Sequence, residues 1–123
     1  MVAEVRRVNK FGAVATFVDG IRFDSKAEAG RWHTLRMLAM AGEILSLERQ
    51  VVFPLLVNGV AIGRYIADFV YTETNSGQRV IEDVKGHQTE LFKRSAKHMA
   101  AQGNPITIWP PVPIKTRKRR VKV

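Results

Sequence analysis

The chain has 123 residues, of which 46% are hydrophobic and 25% charged, with a net charge of +9; this composition is typical of one compact globular domain. It contains no cysteine, which excludes disulfide scaffolds, thiolate zinc sites, iron–sulfur clusters and cysteine nucleophiles. No apolar run is long enough to cross a membrane, and the chain does not begin with the apolar segment of a secretory signal, so we expect a soluble, cytoplasmic protein.

The first part of the sequence predicts a β-hairpin followed by a helix. Two short β-prone runs in residues 13–24 flank Asp19-Gly20, a dipeptide that favours a tight turn. A helix is predicted over residues 25–42 because Ser25 and Glu28 have the spacing of a capping box and apolar residues then recur at helical spacing.

The remaining elements alternate between strands and one further helix. After a connector over 43–48, the pattern predicts strands over 51–57, 60–73 and 78–85, a helix over 89–102 and a strand over 106–109. Pro54 places the first of these strands at an edge of the sheet. The predicted fold class is mixed α/β, with a central, mostly antiparallel sheet in the order α-β-β-β-α-β, preceded by the N-terminal β-hairpin.

Most of the net positive charge lies at the C-terminal end. Six basic residues fall in the last nine positions: Lys115, Arg117, Lys118, Arg119, Arg120 and Lys122. We therefore place one domain over residues 1–113 and a basic tail over 114–123. Such a tail is typical of an arm that contacts nucleic acid, although a solvated tail or a cellular address has the same composition.

Two acidic residues are predicted to meet across a hairpin. If Thr74–Gly77 form a four-residue turn, Asp68 falls directly opposite Asp83, with the two Cβ atoms about 5 Å apart on one face of the sheet. Opposed carboxylates repel each other, so a bound cation, a raised pKa or a basic partner should offset the repulsion.

Strand alternation and helix spacing add Lys85 and Glu28 to this pair. Asp83 and Lys85 are two residues apart and share a face, whereas Glu82 points to the other face. Glu28 lies in line with the apolar stripe of the first helix. It therefore either closes the acidic cluster or acts only as a helix cap.

A ligand set of these carboxylates, completed by the Val84 carbonyl and by waters, suits Mg²⁺ or Mn²⁺ rather than Zn²⁺. Beside a phosphate, such an ion activates water and neutralises charge on the departing oxygen, and Lys85 would orient that water or stabilise the transition state. The competing interpretation is a surface ion-pair cluster of Asp68, Asp83 and Lys85.

At these residues the sequence resembles the PD-(D/E)XK nuclease superfamily. Asp68 and the Asp83-Val84-Lys85 element match its motif, with Glu28 on the preceding helix. Together, residues 18–29, 65–69 and 82–86 are similar to small phage and prophage endonucleases of the Holliday-junction-resolvase or endonuclease I type. Three matched segments in this order are more specific than the short motif alone.

The resemblance implies a restriction-endonuclease-like core and divalent-metal-dependent hydrolysis of DNA phosphodiesters, selective for branched or junction DNA, in a bacterial or phage-infected cell. Glu28, Asp68 and Asp83 would hold the Mg²⁺ or Mn²⁺ and Lys85 would assist the water. Many small members of the superfamily form homodimers, so a homodimer is a possible assembly of this chain.

The sequence departs from the superfamily pattern at three places. Ala67 stands where many members have proline. Glu82 beside Asp83 makes the metal ligand ambiguous, and we choose Asp83 because it shares a face with Lys85. Residues 88–92 are similar to a Q-x-x-x-Y helix motif, with Phe92 in place of the tyrosine.

The second helix also carries candidate DNA contacts. Lys93, Arg94 and Lys97 form a basic face just after the Asp83–Lys85 strand, where they would contact phosphates. The alternative for these three residues is an ordinary solvated helix face. The main alternative to an endonuclease is a non-catalytic nucleic-acid-binding protein on the same fold, in which the acidic cluster serves stability. A basic structural or ribosome-associated protein is a third interpretation.

Overall fold

The structure, a computed structural model, describes residues 7–8, 14–18 and 20–111. The predicted basic tail over 114–123 therefore lies outside the described residues. Three short antiparallel strands open the described part, β1 (Arg7–Val8), β2 (Val14–Val18) and β3 (Ile21–Phe23). Val18 pairs with Ile21 across the turn, which confirms the predicted N-terminal hairpin.

Helix α1 (Lys26–Met40) has the ends that the sequence predicts. The Ser25 hydroxyl accepts a hydrogen bond from the Glu28 N–H at 3.1 Å, as an N-cap does. Gly42 ends the helix with φ at 77°, in the left-handed region that glycine occupies without a steric cost.

A four-stranded sheet forms the centre of the fold. Its strands lie in the order β4-β5-β6-β7, antiparallel except for the last pair, which is parallel. The elements are β4 (Ile44–Val57), β5 (Val60–Glu73), β6 (Arg79–Val84), α2 (Glu90–Ala101) and β7 (Ile106–Trp109). The mixed α/β class, the element order and the edge position of the Pro54 strand are confirmed.

The predicted connector over 43–48 is wrong, because β4 already begins at Ile44. The pairing of β4 with β5 shifts register between Leu45 and Glu48, and Ser46 has a left-handed φ of 54°. This irregularity breaks the apolar alternation that identifies a strand in a sequence.

Each face of the sheet carries its own core cluster. Helix α1 covers the cluster of Phe23, Ala29, Leu35, Ile44, Phe69 and Tyr71. The cluster on the α2 face comprises Phe53, Tyr65, Ala67, Val70, Ile81 and Met99. Neither helix of the described part is long and apolar enough to cross a membrane.

Strand β5 changes face at Asp68. Tyr65 and Ala67 belong to the α2-face cluster, whereas Phe69 and Tyr71 belong to the α1-face cluster. In a regular strand these four residues would share one face, because side chains alternate with a period of two. The switch therefore falls in the row of the sheet that contains Asp68.

Strand β4 changes face in the same row. Arg49 pairs with Phe69 and Val51 pairs with Ala67, so Gln50 lies opposite Asp68. Arg49 packs against the α1-face cluster and Val51 against the α2-face cluster. Gln50 has a left-handed φ of 53°, which lets its two neighbours leave the strand on opposite faces.

Candidate active site

The register of β5 and β6 brings Asp68 and Asp83 to the same row. The pairs run from Thr72–Arg79 to Phe69–Glu82, which is the register predicted from the turn. The pairing ends there, and the two strands separate at the next residue of each. Asp68 and Asp83 thus lie at the fork between β5 and β6.

The two carboxylates do not face each other as the sequence predicts. Asp68 Oδ2 accepts a hydrogen bond from the Val84 N–H at 2.9 Å, and the Asp83 carboxylate accepts one from the Asp68 N–H. The Tyr65 hydroxyl also donates to Asp83. The prediction fails because it assumes regular alternation in β5, which breaks at Asp68. Backbone and hydroxyl donors, rather than an ion alone, stabilise these charges.

Glu28 on α1 belongs to the same group of charges. Its side chain is buried, and the Gln50 amide Nε2 donates a hydrogen bond to its Oε1 at 3.3 Å. Burial, and then the negative charges of Asp68 and Asp24, raise the pKa of Glu28 to about 7. The Glu28 N–H is therefore capped by the Ser25 hydroxyl, while the Glu28 carboxylate belongs to the acidic cluster.

Lys85 acts on both aspartates. Burial raises the pKa of Asp83 to about 6, and the Lys85 ammonium opposes that rise. Burial also raises the pKa of the half-buried Asp68, against the Val84 N–H and Lys85. The Lys85 ammonium itself lies 5.0 Å from the centre of the Phe92 ring at the start of α2. The predicted proximity of Lys85 to the two aspartates is therefore present.

Glu82 is engaged elsewhere. It is 1% exposed, and Arg31 donates two hydrogen bonds of 2.8 Å to its carboxylate. The Tyr71 hydroxyl donates a third at 2.8 Å. The Arg31 guanidinium in turn stacks on Trp109, 3.6 Å from the ring centre. Glu82 is thus the anion of a buried ion pair, which leaves Asp83 as the candidate ligand.

Sequence reasoning missed three contributors to this site. Asp24 adds negative charge beside Glu28 and Asp68, Gln50 contacts Glu28, and Tyr65 contacts Asp83. The acidic Asp24 next to the helix cap is the one signal that the sequence offered. Gln50 and Tyr65 reach the site only through the change of face in β4 and β5.

The chemistry of the donors fits a hard dication. The carboxylates of Glu28, Asp68 and Asp83 offer only oxygen. The neighbouring negative charges of the buried Glu28 and the half-buried Asp68 are of the kind that Mg²⁺ or Mn²⁺ neutralises. Within residues 7–8, 14–18 and 20–111, however, no three His, Cys, Asp or Glu side chains form a ready-made metal cage. Binding of one ion to all three carboxylates therefore requires a rearrangement of these side chains.

The profile of a family described as a protein of unknown function, DUF1064, matches residues 8–112. The chain belongs to the DUF1064 family. No curated protein and no solved structure matches the chain. The DUF1064 range includes all the acidic-site residues and ends before the predicted basic tail.

The basic side chains of α2 in this DUF1064 domain are exposed. Lys93, Arg94 and Lys97 line one open cleft together with Gln88. Lys93 makes an exposed ion pair with Glu90 at 3.3 Å. The other predicted DNA contacts, Lys115, Arg117, Lys118, Arg119 and Arg120, lie outside the part of the chain that the structure describes.

The raised pKa of Glu28 predicts a stability that falls as the pH rises. Between the ordinary value of 4.5 and about 7, the folded state binds more protons than the unfolded state, so the free energy of unfolding decreases with pH. Integrated over that window, the loss is up to about 3 kcal/mol. Urea unfolding at several pH values measures it, and Glu28→Gln should flatten the slope. An equal slope in that variant would contradict the assignment.

Proposed function

We propose that this chain is a divalent-metal-dependent DNA endonuclease that hydrolyses phosphodiester bonds and is selective for branched or junction DNA. One observation carries the proposal. Glu28, Asp68, Asp83 and Lys85 come from α1, β5 and β6 and lie around the fork where β5 and β6 separate. The negative charge of Asp68 acts on Glu28, and the Lys85 ammonium acts on both aspartates. These are the four residues that the resemblance to the PD-(D/E)XK nucleases selects.

Each of these side chains has a separate role in the proposed hydrolysis. A bound Mg²⁺ or Mn²⁺ would polarise the phosphate and lower the pKa of a water nucleophile. Glu28, Asp68 and Asp83 would hold the ion, with the Val84 carbonyl completing the set. Lys85 is a cation already placed beside both aspartates, so it would orient the water or stabilise the negative charge that develops on the phosphate.

The position of α2 supports DNA as the substrate. Lys85 packs over Phe92 in the first turn of this helix. The exposed Lys93, Arg94 and Lys97 come directly after Phe92 in the chain, so the basic residues begin at the end of α2 that lies beside Lys85. Phosphates along such a basic face would position a nearby phosphodiester at the acidic cluster. DNA bound along α2 would therefore present a phosphodiester bond to the residues proposed to cleave it.

A cleavage assay tests the proposal. The purified chain is incubated with four-way junction, flap, nicked, single-stranded and linear duplex DNA in Mg²⁺, Mn²⁺ or EDTA. We expect cleavage that needs the metal and is fastest on branched DNA. Cleavage that persists in EDTA would contradict a metal mechanism. Binding without cleavage of any substrate would favour the alternative, a non-catalytic nucleic-acid-binding protein.

The basic face of α2 predicts a change in the salt dependence of binding. Replacing Lys93, Arg94 and Lys97 by glutamine should reduce the slope of log K against log salt by about 0.9 for each phosphate that the helix no longer neutralises. Fluorescence anisotropy with a labelled junction, titrated at several salt concentrations, measures that slope. Arg36→Gln, an exposed change on α1, is the control and should leave the slope unchanged. A triple variant with the wild-type slope would remove α2 from the DNA path.

A further inference from the structure

Gln50 has an unusual backbone for its place in the sheet. It lies inside the 14-residue strand β4, yet its φ is 53°. A left-handed conformation is unfavourable for a residue with a Cβ and is rare inside strands. The flanking residues Arg49 and Val51 nevertheless keep their pairing with β5. The conformation is thus confined to one residue, in the row of Asp68.

The side chain of this strained residue points to the acidic cluster. Its amide Nε2 lies 3.3 Å from Glu28 Oε1, within hydrogen-bond distance. The residue as a whole is exposed, whereas Glu28 is buried at 5% exposure. Local strain persists only where the surroundings enforce it, and it is concentrated at functional sites. The strain at residue 50 therefore points to a role in the cluster.

The chemistry of an amide suits the position. An ammonium or guanidinium in contact with Glu28 would neutralise its charge, while a neutral N–H donor fixes the orientation of the carboxylate and leaves that charge in place. Arg49, the neighbour of Gln50, is turned towards the α1 face by the change of face in β4. The left-handed backbone at residue 50 therefore places the Gln50 amide in contact with Glu28 and the Arg49 guanidinium farther from it.

We propose that Gln50 is a positioning residue that holds the Glu28 carboxylate beside Asp68, and that the left-handed backbone at residue 50 is the cost of this contact. The inference rests on the proposed function where it concerns metal affinity and cleavage. The contact between Gln50 and Glu28 is tested separately.

The matched variants are Gln50→Gly and Ser46→Gly. Both replace a left-handed residue of β4 by glycine, but only the first removes an amide from Glu28. Gln50→Gly should keep or raise the melting temperature, because glycine accepts the conformation without strain. It should lower Mn²⁺ affinity and kcat about 10- to 100-fold, as removal of a residue that orients a ligand does, with KM for DNA unchanged. Ser46→Gly should leave Mn²⁺ affinity and kcat unchanged.

A nuclear magnetic resonance readout is independent of activity. The side-chain amide signal of Gln50 should shift when Glu28 is replaced by alanine. The signal of Gln102, whose amide donates to the Pro54 carbonyl at 3.0 Å, should not move. If the wild-type chain neither binds Mn²⁺ nor cleaves DNA, the proposed function fails, and this readout still decides the contact.

Three results would overturn the inference. The first is a Gln50 amide signal that is the same in the wild type and in the Glu28→Ala variant. The second, if the wild-type chain cleaves DNA, is a Gln50→Gly variant with the wild-type Mn²⁺ affinity and kcat. The third is a Gln50→Gly variant in which both the Mn²⁺ affinity and the melting temperature are lower than in the wild type, which would assign the residue a structural role only.

Discussion

Replacing Asp68 or Asp83 by asparagine is expected to abolish DNA cleavage while the protein remains folded. Asparagine keeps a carbonyl oxygen that can accept the hydrogen bond of the Val84 N–H at position 68 or of the Tyr65 hydroxyl at position 83. It removes the negative charge that would bind the metal. Because that ion stabilises the transition state by several kcal/mol, the loss of rate should be about 10³-fold or more.

The folded state of these variants should be as stable as the wild type or more stable at neutral pH. Burial raises the pKa of both aspartates, so the ionised side chains destabilise the folded protein and their neutral replacements do not. Glu73→Gln, an exposed change at the other end of β5, is the matched control and should cleave normally. A folded Asp68→Asn or Asp83→Asn variant that cleaves at the wild-type rate would contradict the assignment of the site.

Replacing Glu82 by glutamine is expected to produce the largest loss of stability. Arg31 would keep its charge, with its side chain only 9% exposed, and would lose the carboxylate that neutralises it. Removal of one partner of a buried ion pair typically costs about 3–5 kcal/mol. Urea unfolding should show this as a lower midpoint with an unchanged slope.

Two further variants separate the buried pair from ordinary surface charge. Glu90→Gln breaks only the exposed pair with Lys93, and such pairs contribute about 0–1 kcal/mol. The double variant Arg31→Met, Glu82→Leu removes both charges and should recover much of the stability that Glu82→Gln loses. If Glu82→Gln were no less stable than Glu90→Gln, the buried pair would not hold α1 to β6.

The elements of the fold follow from local patterns in the sequence. The Ser25 cap, the bounds of β5 and the register of β5 with β6 all depend on residues close together in the chain, and each is confirmed. Glu82 and Asp83 point to opposite faces of β6, as the sequence predicts. This prediction depends on alternation within β6, which is regular.

The geometry of the acidic cluster depends on features without a local signal. A left-handed conformation at Gln50 is not encoded by a glycine or asparagine, so no pattern marks the change of face in β4 and β5. The partner of Glu82 is Arg31, 51 residues away. Alternation through Asp68 therefore predicts the correct row of the sheet but the wrong orientation of the carboxylate.

The central claim is that Glu28, Asp68 and Asp83 hold a divalent metal at the fork of β5 and β6. The most direct test is a crystal structure of the protein with Mn²⁺, measured to reveal the anomalous scattering of the ion. We predict one strong anomalous peak within about 2.3 Å of the Asp68 and Asp83 carboxylates, with Asp83 turned from Tyr65. Crystals that show no peak at the fork, with the aspartates still bonded to the Val84 N–H and the Tyr65 hydroxyl, would contradict it.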